Sequence, residues 1–281
     1  MKGRKLENLK IQLRENKLGL VAIFIVIVFV VAASLAFLAP YDPNKVEVTK
    51  GLLKPSGTHF FGTDNLGRDY FTRALYGGRI SLTVGLMSMI ISVVIGTVVG
   101  AISGYFGGKL DNIIMRVIDI LMCIPTFFLI LIINSYLEPG IKNVILVIGF
   151  LSWMSIARIV RAETLSVKER EYVLYSKVSG ETPAKIIIKH IIPSIIPTVI
   201  VTATINIASA ILMESSLSFL GLGVQQPNAS WGSMLKDAQG YIANAAYLSI
   251  FPGVLILLTV LSFNVLGDIL RSAFEPKANK R

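Results

Sequence analysis

Cysteine occurs once in this 281-residue sequence, histidine twice, and charged residues make up only 16% of it. The single thiol, Cys123, excludes an internal disulfide, and its setting in CIPTFFLILII is that of a small buried apolar residue. One thiol and two imidazoles leave Cys/His metal chemistry almost without ligands, so no metal site is expected. Nucleotide-binding signatures are missing as well. GYFGGK at 104–109 has only three residues between Gly104 and Gly108, continues with Leu110 where a phosphate loop needs Ser or Thr, and follows no strand. GLG at 221–223 lacks the third glycine of a dinucleotide fingerprint, and neither a nucleophile elbow nor paired zinc ligands are found. No catalytic residue and no cofactor are therefore expected in this chain. The net charge of +10 raises nucleic acid as a partner, but the basic residues are dispersed between apolar runs and form no basic domain.

What the sequence has instead is apolar length. Hydrophobic residues fill 53% of it, a composition of the membrane class. A hydrocarbon core of about 30 Å takes roughly 20 helical residues to cross. Leu18–Ala39, Ile80–Phe106, Ile191–Met213 and Ala246–Gly267 meet that length without a charge. Ile120–Leu137 and Val144–Ala157 are shorter, and their flanking Arg116 and Arg158 can snorkel to an interface, which brings the expected spans to six. The first run exceeds the length of a signal-peptide core and is read as a retained span. With six crossings, nineteen Lys and Arg fall on the side of both termini and eight on the other, so the termini are expected in the cytoplasm. Arg68, Arg73 and Arg79 crowd the start of the second span on the poorer side. They suggest an amphipathic lead-in helix at the outer interface.

Within the spans, Ser88, Ser92, Gly96, Gly100 and Gly104 recur every fourth residue, a stripe along which another helix can approach closely. Glu214 stands at the end of an uncharged run, where a carboxyl costs about 2.5–3.5 kcal/mol on insertion scales and so requires a partner or a wet cavity. It is a candidate either for a hydrogen bond between helices or for the translocation pathway. Asn206 is a weaker pathway candidate, and Asn206 and Asn264 both suit packing hydrogen bonds. Pro125, Pro252 and Gly253 are expected to kink or loosen their helices. Ion-gradient coupling calls for several acids at membrane depth, and Glu214 with Asp119 is a thin set.

The segment REYVLYSKVSGETPAKIIIKHIIP, 170–193, is the one long stretch of mixed charge between spans. Glu169–Ser179 can form a helix closed by Gly180 in the left-handed region. Thr182 and Pro183 then restart a helix as N-cap and first turn. Lys185 and Lys189 share one face of that second helix, isoleucines line another, and Pro193 and Pro197 set where the fifth span begins. Tyr172 and Tyr175 among Arg170, Glu171 and Lys177 have the composition of a protein socket.

This segment resembles the coupling loop of ABC-importer permeases, an EAA triplet, three residues, a glycine, nine residues and I-x-L-P. Gly180 and Pro193 match in spacing, Ile192 stands for the Leu, Leu174-Tyr175-Ser176 replaces the triplet, and His190 replaces the Ile. Four further blocks are similar to the peptide and nickel permease branch: FFGTDNLGRDYFTRALYGGRISL at 60–82, GYFGGKLDNIIMRVIDI at 104–120 with Pro125, ESSLSFLGLGVQQPNASWG at 214–232, and FNVLGDILR from Phe263. The resemblance implies an all-α, six-span type I permease of a prokaryotic cell membrane, importing peptides or a related cargo such as nickel or a metal chelate. It also implies a homologous second permease, two ABC ATPase subunits holding the ATP and magnesium, and an extracytoplasmic binding protein. Docking falls to Glu171, Tyr172, Tyr175, Ser176, Gly180, Thr182 and Pro193, and Gly221, Gly223 and Trp231 shape the outer mouth or the loop there. The organisation expected is a basic N-terminus (1–17), a first span (18–39), an outer loop with an interfacial helix (40–79), a core (80–270) containing the coupling loop 162–193, and a tail (271–281). A gradient-driven carrier subunit and a passive assembly factor are the alternatives.

Overall fold

The computed structural model describes residues 16–274, so most of the basic N-terminal segment and of the tail lie outside the described residues. The helices run in the order α1 (Lys17–Ser34), α2 (Tyr70–Phe106), α3 (Gly108–Met122), α4 (Thr126–Tyr136), α5 (Ile141–Val167), α6 (Glu171–Val178), α7 (Pro183–Phe219), α8 (Trp231–Ala238) and α9 (Tyr247–Phe274). Five of them are long and apolar enough to cross a membrane. The α3–α4 pair, bent by 76°, meets the same length and composition only when taken together, which gives six crossings if it is one broken span and five if it is a re-entrant loop. The bend falls at Cys123–Pro125, where the proline withholds an amide and favours an extended residue before it. Cys123 is exposed on this bend, contrary to the buried position its apolar neighbours suggested.

The described end of the outer loop corrects a second expectation. Among the described residues, only a 3-10 turn at Val48–Lys50 stands in that loop, and no separate α-helix precedes the second span. Asp69 caps α2 by accepting from the Thr72 amide at 2.8 Å, and the helix then continues unbroken for 37 residues, about 55 Å at 1.5 Å per residue. Arg68 and Arg73 do not snorkel, because Asp64 draws both inward: Arg68 Nε lies 2.6 Å and Arg73 Nε 3.7 Å from its Oδ2, and all three residues are buried. Arg79, without such a carboxylate, is exposed and lies over the Tyr76 ring.

The small-residue stripe is buried along its whole length, against α5. A Cβ on Gly96 would stand 2.7 Å from Ile156 Cβ, and one on Gly100 would stand 2.5 Å from the Ala157 carbonyl. The two backbones thus meet where only hydrogen fits. At the end of this contact Asp111 of α3 accepts two bonds of 2.5 Å from Arg161 of α5 and one from Ser103 of α2. GYFGGK is the α2–α3 turn, with Gly107 and Gly108 both at positive φ. By contrast, α1 buries only Gly19, Ala22 and Ala33, and its remaining surface is a lipid-compatible apolar face. The α9 helix runs through Pro252 and Gly253 without a break. Asn264, expected to pack by a hydrogen bond, is exposed on it.

Candidate functional site

The mixed-charge segment folds as a short helix clasped to the foot of a long one. The first, α6, ends in a Schellman turn: Gly180, at φ +80°, lets the Glu181 amide donate to the Ser176 carbonyl at 3.1 Å and its own amide to Lys177 at 3.2 Å. Thr182 is extended and Pro183 opens α7, as the residue types dictate, although the Thr182 hydroxyl makes no capping bond. The expected boundary at Pro193 and Pro197 is not there. A π turn at Ile187–Ile191 widens the backbone just ahead of Pro193, and the helix passes through both prolines into the fifth span. The second helix of the segment and the fifth span are therefore one rod.

Val173, Ile186 and Ile191 anchor the hairpin by packing with Val160 and Val167 of α5. The opposite face is open. A groove of about 610 Å³ is lined by Glu171, Tyr172, Tyr175, Ser176, Ser179, Glu181, Lys189 and His190. Tyr175 is 75% and Val178 88% exposed, an unusual state for a tyrosine and a valine side by side in a folded chain. Glu171 occupies the first turn of α6, where a carboxylate suits the helix dipole. Of the sequence-derived docking residues, Glu171, Tyr172, Tyr175 and Ser176 meet at this groove, Gly180 shapes its rim, and Thr182 and Pro193 are exposed beside it. Sequence reasoning missed Glu181, Lys189 and His190. Glu181 receives Lys185 at 3.0 Å and Lys189 at 3.5 Å, and its carboxylate is held down to about 2, first by Lys185, with desolvation opposing and the His190 ring assisting. His190 and Ser176, two of the departures from the coupling pattern, touch each other at 3.1 Å.

At the other end of α7, Glu214 is wholly buried and surrounded by hydroxyls. Ser218 donates to Oε1 at 2.7 Å and Ser81 of α2 donates to Oε2 at 3.0 Å. In turn Ser81 Oγ accepts from the Trp231 amide at 3.2 Å, and Ser218 Oγ accepts from the Val224 amide at 3.0 Å. The carboxyl therefore ties α2, α7 and the start of α8 together, and it lines no open surface in this conformation. Gly221 and Gly223 serve the same joint. Gly221, at φ +85°, closes α7 in a second Schellman turn, and a Cβ on Gly223 would stand 2.1 Å from Ser218 Oγ. Trp231 is buried, its Nε1 donating to the Ala74 carbonyl at 2.9 Å, so it reaches no outer surface. Asn206 is half-buried and accepts from Ser92 Oγ at 2.9 Å.

Five or six apolar crossings with an exposed hairpin at the foot of one of them define a multi-pass helical membrane protein. Residues 96–280 match the family described as binding-protein-dependent transport system inner membrane component, and residues 10–55 match the N-terminal TM domain of oligopeptide transport permease C. The chain belongs to that inner membrane component family, as a transport permease subunit. It is 41% identical over 271 residues to the dipeptide transport system permease protein DppC of Bacillus subtilis, covering 96% of this chain and 85% of that one. It is 40% identical over 281 residues to the oligopeptide transport system permease protein OppC of Haemophilus influenzae, covering 99% and 90%. Among solved structures, the inward-facing MetNI methionine ABC transporter shares the fold at a TM-score of 0.60 and 22% identity, over 72% of this chain and 96% of that one. Nothing in these relationships supports the gradient-driven alternative.

Proposed function

We propose that this chain forms half of the translocation pathway of an ATP-driven importer for peptides or a related small cargo. In this reading it pairs with a homologous permease and sits on two ATPase subunits that hold ATP and magnesium. An extracytoplasmic binding protein delivers the cargo. The observation that carries it is α6: an exposed helix with Tyr175 and Val178 outermost, based on a span that runs unbroken to the far side. A socket on each ATPase takes such a helix, and closure of the ATPases swings α7. Peptide cargo is supported by the names of the relatives, whose cargo includes dipeptides, oligopeptides and glutathione.

The test is the assembled transporter in proteoliposomes with its binding protein and internal ATP. Tyr175→Asp with Gly180→Pro places a charge at the tip and forbids the positive φ of the turn. Uptake is expected to fall at least about tenfold, the factor that loss of about 1.4 kcal/mol of coupling carries, with insertion into the membrane unchanged. Normal coupled uptake in this variant overturns the docking assignment.

A further inference from the structure

Three groups meet between α6 and the foot of α7. His190 Nε2 lies 3.0 Å from Glu181 Oε2 and 3.1 Å from Ser176 Oγ, and Ser176 Oγ in turn lies 3.0 Å from the Tyr172 carbonyl. The donors can be assigned from chemistry alone. A carbonyl only accepts, so the Ser176 hydrogen goes to Tyr172 and leaves the serine oxygen to accept. Glu181, ionised, also only accepts. The hydrogen shared by the remaining two contacts must therefore sit on His190 Nε2. Alongside, Tyr172 OH and Ser194 Oγ are 2.9 Å apart, and Ser194 donates to the His190 carbonyl at 2.7 Å. Every polar link between the two helices in this cluster thus passes through His190 or the residue four places beyond it.

We propose that His190 is a positioning residue that clasps the docking helix to α7, making the two one lever. It touches neither cargo nor nucleotide and acts by holding Ser176 and Glu181. Without the clasp, α6 is attached to α7 by the four connecting residues Ser179–Thr182, by the Tyr172–Ser194 hydrogen bond near the start of α6, and by its apolar packing through Val173. A push on Tyr175 then turns α6 about Gly180 and leaves α7 in place. The functional half of this proposal rests on the docking reading given above. The structural half does not.

Both halves are read on the full transporter in nanodiscs. His190→Ile removes the donor and keeps bulk, whereas His190→Gln restores an amide donor that can reach the same two acceptors. Hydrogen exchange of the α6 amides is expected to rise about tenfold in His190→Ile and to stay within about twofold of wild type in His190→Gln. Cargo imported per ATP hydrolysed is expected to follow the same order. Unchanged α6 exchange in His190→Ile overturns the clasp, whatever uptake does. Faster exchange with undiminished cargo per ATP overturns the positioning role. Tyr175→Asp separates that result from failure of docking itself, because it disturbs the tip and leaves the clasp intact. Should His190→Ile fail to assemble, Ser176→Ala removes one acceptor alone and is read by the same two measurements.

Discussion

At the scale of single residues, Glu214 shows how burial reassigns a candidate. The sequence marks it because a lone acid at membrane depth needs a reason, and the structure supplies one in serine hydroxyls from two helices. Glu214→Ala strands Ser81 and Ser218 in a buried site and opens a cavity, costing about 2–4 kcal/mol. Glu214→Gln keeps an acceptor oxygen in nearly the same volume and is expected to cost less than half as much. Thermal unfolding of the purified chain in detergent checks the order. A melting point for Glu214→Ala equal to that of wild type contradicts the clamp. The glycines of α2 follow a simpler rule: Gly100 faces a backbone carbonyl, which cannot step aside for a methyl group as the end of a flexible side chain can.

At the scale of elements, the two Schellman turns at Gly180 and Gly221 end α6 and α7 by the same geometry, and both glycines lie in the sequence blocks 170–193 and 214–232. The hairpin of 170–193 also carries a pH dependence. Glu181 is an acid whose folded value, about 2, lies below its ordinary 4.5, with the Lys185 ammonium as the largest cause. Its contribution is therefore fully present above about pH 4.5 and is lost as the pH falls from there toward 2. Hydrogen exchange over residues 171–192, corrected for the intrinsic rate, is expected to show the hairpin loosening across that window. Lys185→Ala raises the Glu181 value and moves the loosening to higher pH. Added salt is expected to weaken the effect, because both lysines at this carboxylate are largely solvent-facing.

At the scale of the whole molecule, the question is where the energy for transport enters. Ion coupling needs an acid at membrane depth that can take and release a cation. Asp119 is paired with Arg158, and Glu214 is enclosed by hydroxyls with no exposed edge. Uptake into proteoliposomes supplied with internal ATP is therefore expected to change less than about twofold when a protonophore or a sodium ionophore collapses the gradients. Abolition of uptake under those conditions, with ATP still present, contradicts the ATP-driven reading. In the proposed reading, α7 is the element that carries movement from the partner ATPases across the membrane. It spans about 55 Å as a single helix, clasped at one end through His190 and at the other through Glu214.

Membrane class and the positions of most spans were legible in the sequence, because a bilayer imposes a length of apolar residues that local composition alone satisfies. The helix–turn–helix backbone of 170–193 was legible as well, since Gly180, Thr182 and Pro183 constrain the backbone wherever the chain goes. The tertiary structure alone decided what long-range partners decide. It drew Arg68 and Arg73 inward to Asp64, and it carried α7 through two prolines that locally read as a boundary. It also placed Glu214, a candidate for an interhelical hydrogen bond or the translocation pathway, and Trp231, a candidate for the outer mouth, in one closed joint. For Glu214 and Trp231 the deciding atoms include the Ser81 hydroxyl and the Ala74 carbonyl, more than a hundred residues away in sequence, which no local window contains, whereas Asp64 stands only four residues before Arg68 and it is the burial of that pair that the fold decides.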